Sequence, residues 1–351
     1  MKILVVQTGF FGDVVLTTPV FTNLRARYPK AEIFALTTKE SRPLLEAHPA
    51  LDGALVFDKR GAHSGWRGLR AMASELRALR FDLALSLHKS SRTALLLFLS
   101  GIPERIGFSN AGLPFLYHQR VRRSHLAHEA LRNLVILEGC GANLDELDSR
   151  LSLGITNDAE DTAAGILREA GLDNKRLVGL APGSVWATKR WTPGGFAAVG
   201  DELAERGFGV LLLGGPNDSE QGRAVEALML QRPLNLIGRT GFMVSIALVA
   251  QLDILISNDS APLHIASACG TPVVAAFCAT VPEFGFGPWQ VAHEVVGVES
   301  LSCRPCGRHG GESCPTGTHA CQLGLHADQV LDAVYRVLET ADRDERESVC
   351  I

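Results

Sequence analysis

The chain has 351 residues, 46% of them hydrophobic and 21% charged, with a net charge of −4. This is the profile of a soluble globular protein of about two domains. Its longest apolar stretch, Thr93 to Ile102, falls short of the roughly 20 residues that a membrane-spanning helix needs. The amino terminus opens as a strand pattern with Lys2 as its only early charge, so no secretion signal is expected.

In chain order, "KILVV", "EIFAL", "GALVF", "FDLALSL" and "ERIGF" read as strands. Helical patterns such as Phe21–Tyr28 and Gly68–Arg80 lie between them, and "TALLLFLSGI" reads as a buried helix. Strands alternating with helices imply a parallel sheet covered on both faces. A polar stretch from Gly154, with one short helix, reads as the connection between halves. Beyond it "LVGLAPG" and "FGVLLLGGPND" are strands that end in glycine turns. "LDILISNDSAPLHIASACGTPVVAAFCAT" is strand, turn, helix, strand. Two doubly wound domains, 1–160 and 161–351, follow from this, their parallel sheets expected to face each other across a cleft. The final helix is a candidate to pack back on the N-terminal domain. Ligands of such folds sit at the carboxyl ends of the strands.

Between Lys59 and Arg132 there are 13 Lys and Arg against 4 Asp and Glu. Such an excess suits an anionic partner: a phosphorylated substrate, an acidic lipid surface or nucleic acid. Nucleic acid is disfavoured, because the segment has few aromatics to stack on bases and no binding motif.

Three strand-end loops could carry chemistry. In "QTGFFGDVV", Gly9 and Gly12 permit tight turns, and Asp13 falls at a helix start. There it is either an N-cap or a general base whose pKa the helix dipole would hold low. In "APGSVWATKRWTPGGF", Lys189 and Arg190 follow the strand end and Pro193 opens a helix, with Thr192 as its cap. These cations are either a solvated pair or a diphosphate site. In "ISNDSAPLHIASACGTPVV", Asn258-Asp259-Ser260 leads into a helix whose free N–H groups suit an anion. His264 lies one turn in, where packing is the ordinary role of such a histidine.

Taken together, "GDVVLTTPV", "APGSVWATKRW", "LLLGGPNDSE" and "SNDSAPLHIASACGTPVVAAF" resemble the bacterial lipopolysaccharide heptosyltransferases, glycosyltransferase family 9. "RIGF", "HEALRNL" and the cysteine-rich tail are most similar to type II. The resemblance implies the GT-B fold, with the acceptor on the N-terminal domain and ADP-L-glycero-D-manno-heptose on the C-terminal one. It implies Asp13 as the general base of a single inverting displacement. On the donor side it implies Lys189 at the phosphates and Asp259 at the heptose hydroxyls. Ser260, Ala261 and the amides after them hold the diphosphate, with Gly12 and His264 nearby. Glu220 would hold the ribose, Ser184 the phosphates and Thr240 the adenine. The acceptor implied is the heptosyl-Kdo2-lipid A inner core, an anionic lipid. Arg60, Lys89, Arg92 and Arg105 are candidates to meet it, on an enzyme at the cytoplasmic face of the inner membrane. Heptosyltransferase types I and III, and a sugar-nucleotide epimerase of similar fold, are the alternatives. A nucleotide-binding protein with a dead site is the non-enzyme rival.

Eight cysteines are present, and Cys303, Cys306, Cys314 and Cys321 are spaced C-x2-C-x7-C-x6-C. That is looser than usual zinc knuckles, so free thiols or a partial disulfide are expected, with no metal and no cofactor. No Asp-x-Asp metal motif is apparent.

Overall fold

A computed structural model describes residues 1–124 and 127–349. The chain divides into two compact units, Met1–Gly154 and Ile155–Ile351.

The first unit holds a six-stranded parallel sheet of β1 (Lys2–Val6), β2 (Glu32–Thr37), β3 (Gly53–Val56), β4 (Leu83–Ser86), β5 (Glu104–Phe108) and β6 (Gln119–Val121), in the order β3-β2-β1-β4-β5-β6. Ile3, Leu4, Val5 and Val6 are wholly buried, as expected of a strand covered on both faces. Helices Gly65–Ala78 and Ser91–Ser100 follow β3 and β4 and pack side by side. The first turns Gly68, Leu69, Met72, Ala73 and Leu76 inward at helical spacing.

The second unit repeats the plan with β7 (Leu177–Ala181), β8 (Gly209–Leu212), β9 (Leu234–Asn235), β10 (Ile254–Asn258), β11 (Val273–Ala276) and β12 (His293–Val296). Read from its other edge, the order β9-β8-β7-β10-β11-β12 is the same permutation as in the first sheet, the dinucleotide-fold order. Each sheet therefore has one switch point, β1/β4 in the first and β7/β10 in the second, where neighbouring loops diverge to form a crevice.

The polar stretch after Gly154 is not a linker containing a short helix. It carries a 13-residue helix, Asn157–Glu169, capped by the Thr156 hydroxyl and packed on helix Phe242–Ala250. The last helix, Ala327–Val349, sets Val330, Ala333, Val334, Val337 and Leu338 into the second unit's core, so its apolar face is buried within its own unit. Among the described residues no helix is long and apolar enough to cross a membrane.

Candidate active site

At the first switch point, β1 runs through Gln7-Thr8-Gly9-Phe10 into the five-residue helix Phe11–Val15. Phe10, not Asp13, is the N-cap residue. Asp13 is the third helical residue, and its Oδ2 reaches back to accept from the Phe10 N–H at 3.0 Å. Gly9 allows this return, since a Cβ there would stand 2.7 Å from that oxygen. Gly12 is the half-buried second residue of the helix.

The Asp13 carboxyl is pushed up to about 6, first by burial and then by the Glu129 charge, against the Phe10 N–H, Arg123 and Lys89. The expectation of a low pKa is thus reversed. A five-residue helix has little dipole to offer, and desolvation outweighs it. Glu129 is itself buried and gripped by Arg123 and Arg132. The Asn133 side chain, on the same helix Glu129–Leu134, donates to the Leu16 carbonyl at 3.0 Å. This ties the acidic residue's helix to the one that bears Asp13.

Lys59, in the loop after β3, was not singled out by the sequence. Its Nζ donates to the Thr8 carbonyl at 2.9 Å and contacts the Thr8 hydroxyl at 3.1 Å. The Thr8 hydroxyl also meets His88 Nδ1 at 3.2 Å, across the switch point. Burial, with Lys59 and Lys89, pushes His88 down to about 4, so its ring is neutral at pH 7. Arg60 and Lys89 are exposed at the carboxyl ends of β3 and β4. Arg92 and Arg105 differ from them. The Arg92 guanidinium is committed to the His63 and Gly65 carbonyls. Arg105 lies at the amino end of β5, bracketing the Ile102 and Leu116 carbonyls, and so is not brought to this edge.

In the second unit the loops after β7 and β10 meet. Asp259 Oδ2 lies 2.6 Å from Lys189 Nζ and accepts from the Thr280 hydroxyl at 2.6 Å. The contact follows from the topology, because β7 and β10 pair in register, Ala181 opposite Ser257. The Asn258 side chain fastens the crevice, accepting from the Trp191 N–H and donating to the Pro182 carbonyl, each at 2.8 Å. Thr192 caps helix Pro193–Glu205 through the Gly195 N–H.

Ser260 is the N-cap residue of helix Ala261–Cys269, and its hydroxyl makes no cap bond. Ser184 is buried, and its carbonyl accepts from Arg190 Nε at 2.8 Å. His264 is buried, with its ring centroid 6.4 Å from that of Phe286. Glu220 is exposed in the first turn of helix Ser219–Leu228, after β8. The Thr240 hydroxyl, after β9, meets that of Ser245 at 2.7 Å.

The cysteine-rich segment braces the lysine. The Gly311 N–H donates to the Thr188 hydroxyl at 2.8 Å, and the Thr188 N–H to the Gly311 carbonyl at 3.1 Å. Gln322 Nε2 spans the Ala187 and Arg190 carbonyls. Gly310, at φ +75°, lies against the Lys189 stem, which a Cβ would approach to 3.2 Å. Cys140, Cys269, Cys278, Cys303, Cys306, Cys314 and Cys321 are free thiols, and Cys350 falls outside the described residues. Among the described residues no cluster of three or more His, Cys, Asp or Glu is arranged to hold a metal. Cys314 is pushed down to about 6 by the Thr316 hydroxyl and the His319 N–H.

Two six-stranded parallel sheets of this order, with polar groups at their switch points, define an α/β protein of the GT-B type. The chain belongs to glycosyltransferase family 9, the heptosyltransferase family, whose model matches residues 69–313. It is 28% identical over 294 residues to lipopolysaccharide heptosyltransferase 2 of Escherichia coli K12, covering 81% of this chain and 84% of that protein. It is 31% identical over 303 residues to lipopolysaccharide heptosyltransferase 3 of the same strain, covering 80% and 83%. Among solved structures, the family 9 glycosyl transferase of Veillonella parvula superposes with a TM-score of 0.87 at 27% identity, covering 97% of both chains. The Escherichia coli ADP-heptose lps heptosyltransferase II superposes with a TM-score of 0.80 at 24% identity, covering 97% of this chain and all of that one.

Proposed function

We propose that this glycosyltransferase moves L-glycero-D-manno-heptose from ADP-heptose to the phosphorylated heptosyl-Kdo2-lipid A inner core of lipopolysaccharide, as a type II heptosyltransferase. The observation that carries the reading is the Asp13 carboxyl, half-buried at a strand end with its pKa lifted to about 6. Such a group is mostly ionised at pH 7 yet basic enough to take a proton in the transition state.

Asp13 removes the proton from an acceptor hydroxyl as that oxygen attacks the anomeric carbon. One inverting displacement needs one base and forms no covalent intermediate. Negative charge grows on the departing ADP. Lys189 and the N–H groups opening helix Ala261–Cys269 are the fixed donors that receive it, and donors set in advance where charge develops are a main source of rate enhancement. Lys189 exchanges its Asp259 partner for the diphosphate, which frees Asp259 for the heptose hydroxyls. Glu220 takes the ribose, and Ser184 and Thr240 lie to the phosphate and adenine sides. With Lys189 and a helix end neutralising the diphosphate, the reaction needs neither metal nor cofactor. Arg60 and Lys89 meet the acceptor's phosphates. The acceptor is a lipid, so the enzyme works at the cytoplasmic face of the inner membrane, without nucleic acid.

Similarity to the type 3 protein of Escherichia coli favours type III as the second reading. A transfer assay with ADP-heptose and a panel of truncated cores separates them. Type II accepts the core that carries one heptose. Transfer to a core without heptose, or only to one already carrying two, reassigns the type. Donor turnover without any acceptor removes the transferase reading.

A further inference from the structure

We propose that the outer face of helices Gly65–Ala78 and Ser91–Ser100, with the turn Pro114–Leu116, docks the protein on an anionic lipid bilayer. The proposal rests on the lipid-linked acceptor and names the surface that meets its membrane.

The first observation is where aromatic side chains are left in water. Four aromatics are exposed among the described residues: Phe10, beside Asp13, at 68%, and Trp66, Phe98 and Phe115, on or next to these two helices, at 55%, 49% and 69%. In the second unit the exposed large hydrophobics among the described residues are aliphatic: Val185, Leu228, Leu230 and Leu323. Trp66 has no part in the core, since its helix turns Leu69, Met72 and Leu76 inward. An open apolar groove of about 310 Å³ lies beside it, lined by Trp66, Leu69, Leu95, Leu113 and the stem of Arg92. Arg105 lies against Phe98 and is bonded to the residue after Phe115. Its guanidinium sits 5.7 Å from the Phe98 ring and donates to the Leu116 carbonyl at 3.0 Å. Grouped exposed aromatics mark interaction surfaces, and tryptophan favours the headgroup level of a bilayer.

The second observation is charge. The first unit carries 20 Lys and Arg against 14 Asp and Glu, a net +6, while the second carries 14 against 24, a net −10. On the docking helix Arg67, Arg70 and Arg77 are exposed, and Glu75 is its only acid. Aromatics set among arginines complement an anionic lipid surface. A protein partner would have to supply both an apolar ridge and an acidic rim.

The third is direction. Both helices begin at the carboxyl edge of the first sheet, where Asp13 stands, and the groove lies at their beginnings. A sugar carried on a lipid headgroup is therefore presented on the side of the base.

The test is co-sedimentation of the full chain with vesicles of phosphatidylethanolamine and phosphatidylglycerol, compared with phosphatidylcholine alone. The anionic vesicles should bind at least about tenfold more tightly. Trp66 is the only tryptophan of the first unit, so bromine on the lipid acyl chains should quench its emission. Arg67→Glu/Arg70→Glu should weaken anionic-vesicle binding by about 25-fold or more, at about fivefold per basic charge removed. Trp66→Ser/Phe115→Ser should weaken binding to both vesicle types. Both double variants should transfer to a deacylated, water-soluble acceptor within about twofold of the unaltered chain, as loss of a surface remote from the chemistry should leave transition-state binding unchanged. Wild-type protein that ignores anionic vesicles, or variants that bind as it does, would overturn the proposal. So would variants that change the sedimenting mass of the protein alone, which would mark a contact between copies. Vesicle binding needs neither donor nor acceptor. Failure of transfer with binding intact therefore counts against the heptosyl reading, and failure of binding with transfer intact counts against this surface.

Discussion

The Lys189 ammonium and the Asp259 carboxylate stand 2.6 Å apart, with the Thr280 hydroxyl on the same carboxylate oxygen. The lysine proposed to meet the diphosphate thus carries its own buried counter-ion, which that ligand would have to displace. Lys189→Ala is expected to cut turnover at saturating donor by about 10²–10³, as for loss of a donor to developing charge. It should weaken ADP binding by less, because the charge that the lysine meets grows on the departing ADP only in the transition state. Rapid-quench turnover and calorimetric ADP titration make the comparison, and equal losses in the two would reduce Lys189 to uniform binding.

With Asp13 as the proposed base, activity and stability should respond in opposite ways to its replacement. Asn can still accept from the Phe10 N–H but has no useful proton affinity. Asp13→Asn should lose transfer by about 10²–10⁴. The folded-state pKa of about 6 lies above the ordinary 3.8, so the folded state binds the proton more tightly than the unfolded one. Stability is therefore lost as pH rises from about 4 through 6. Asp13→Asn removes that loss and should melt higher at pH 7–8, by up to about 3 kcal/mol for a shift of about two units. The gain should vanish near pH 4. Melting at a series of pH values decides it, and a variant that melts lower at pH 8 would refute the buried-base account.

The same carboxyl should shape the rate profile. The transfer rate is expected to rise with pH to a plateau, with an apparent pKa near 6. Glu129→Gln removes the negative neighbour and leaves Arg123 and Lys89 unopposed beside Asp13. The acid limb should then move to lower pH, while the plateau rate falls with the weaker base. A limb that stays near 6 in Glu129→Gln would mean that burial alone sets it.

The cysteine segment should behave as thiols. Protein purified without added metal is expected to hold well under one equivalent of zinc or iron by mass spectrometry. Iodoacetamide at pH 7 should label Cys314 first, because its thiol sits near 6 while burial holds Cys278 up at about 12. One equivalent of metal that survives dialysis, with Cys314 protected, would reverse this.

The sheets were legible because strands covered on both faces are continuous apolar runs, as Ile3–Val6 and Ile254–Ile256 are. Of the four edge strands only Gly53–Val56 was, as "GALVF". Gln119–Val121 and Leu234–Asn235 are two or three residues long, too short to show a period. Strand-end loops announced Asp13, Lys189 and Asp259 locally. What surrounds them came from far along the chain: Glu129 near Asp13, Thr280 on Asp259, and Gly311 on Thr188. Periodicity has no access to such pairings. A count of basic residues found the cationic segment but could not separate Arg60, free at an edge, from Arg105, spent on carbonyls. It also passed over Lys59 at Thr8.

The anchoring of Lys189 makes the molecule sensitive to a single proteolytic nick. Arg308 is exposed, immediately before the residues that hold the lysine loop. A tryptic cut after it would leave every strand of both sheets intact, and Trp191 would still reach the Leu325 carbonyl. The Gly310–Gly311 rest under the lysine would then be held from its C-terminal side alone. In a digest followed over time, catalytic loss should therefore run ahead of any loss of helical signal.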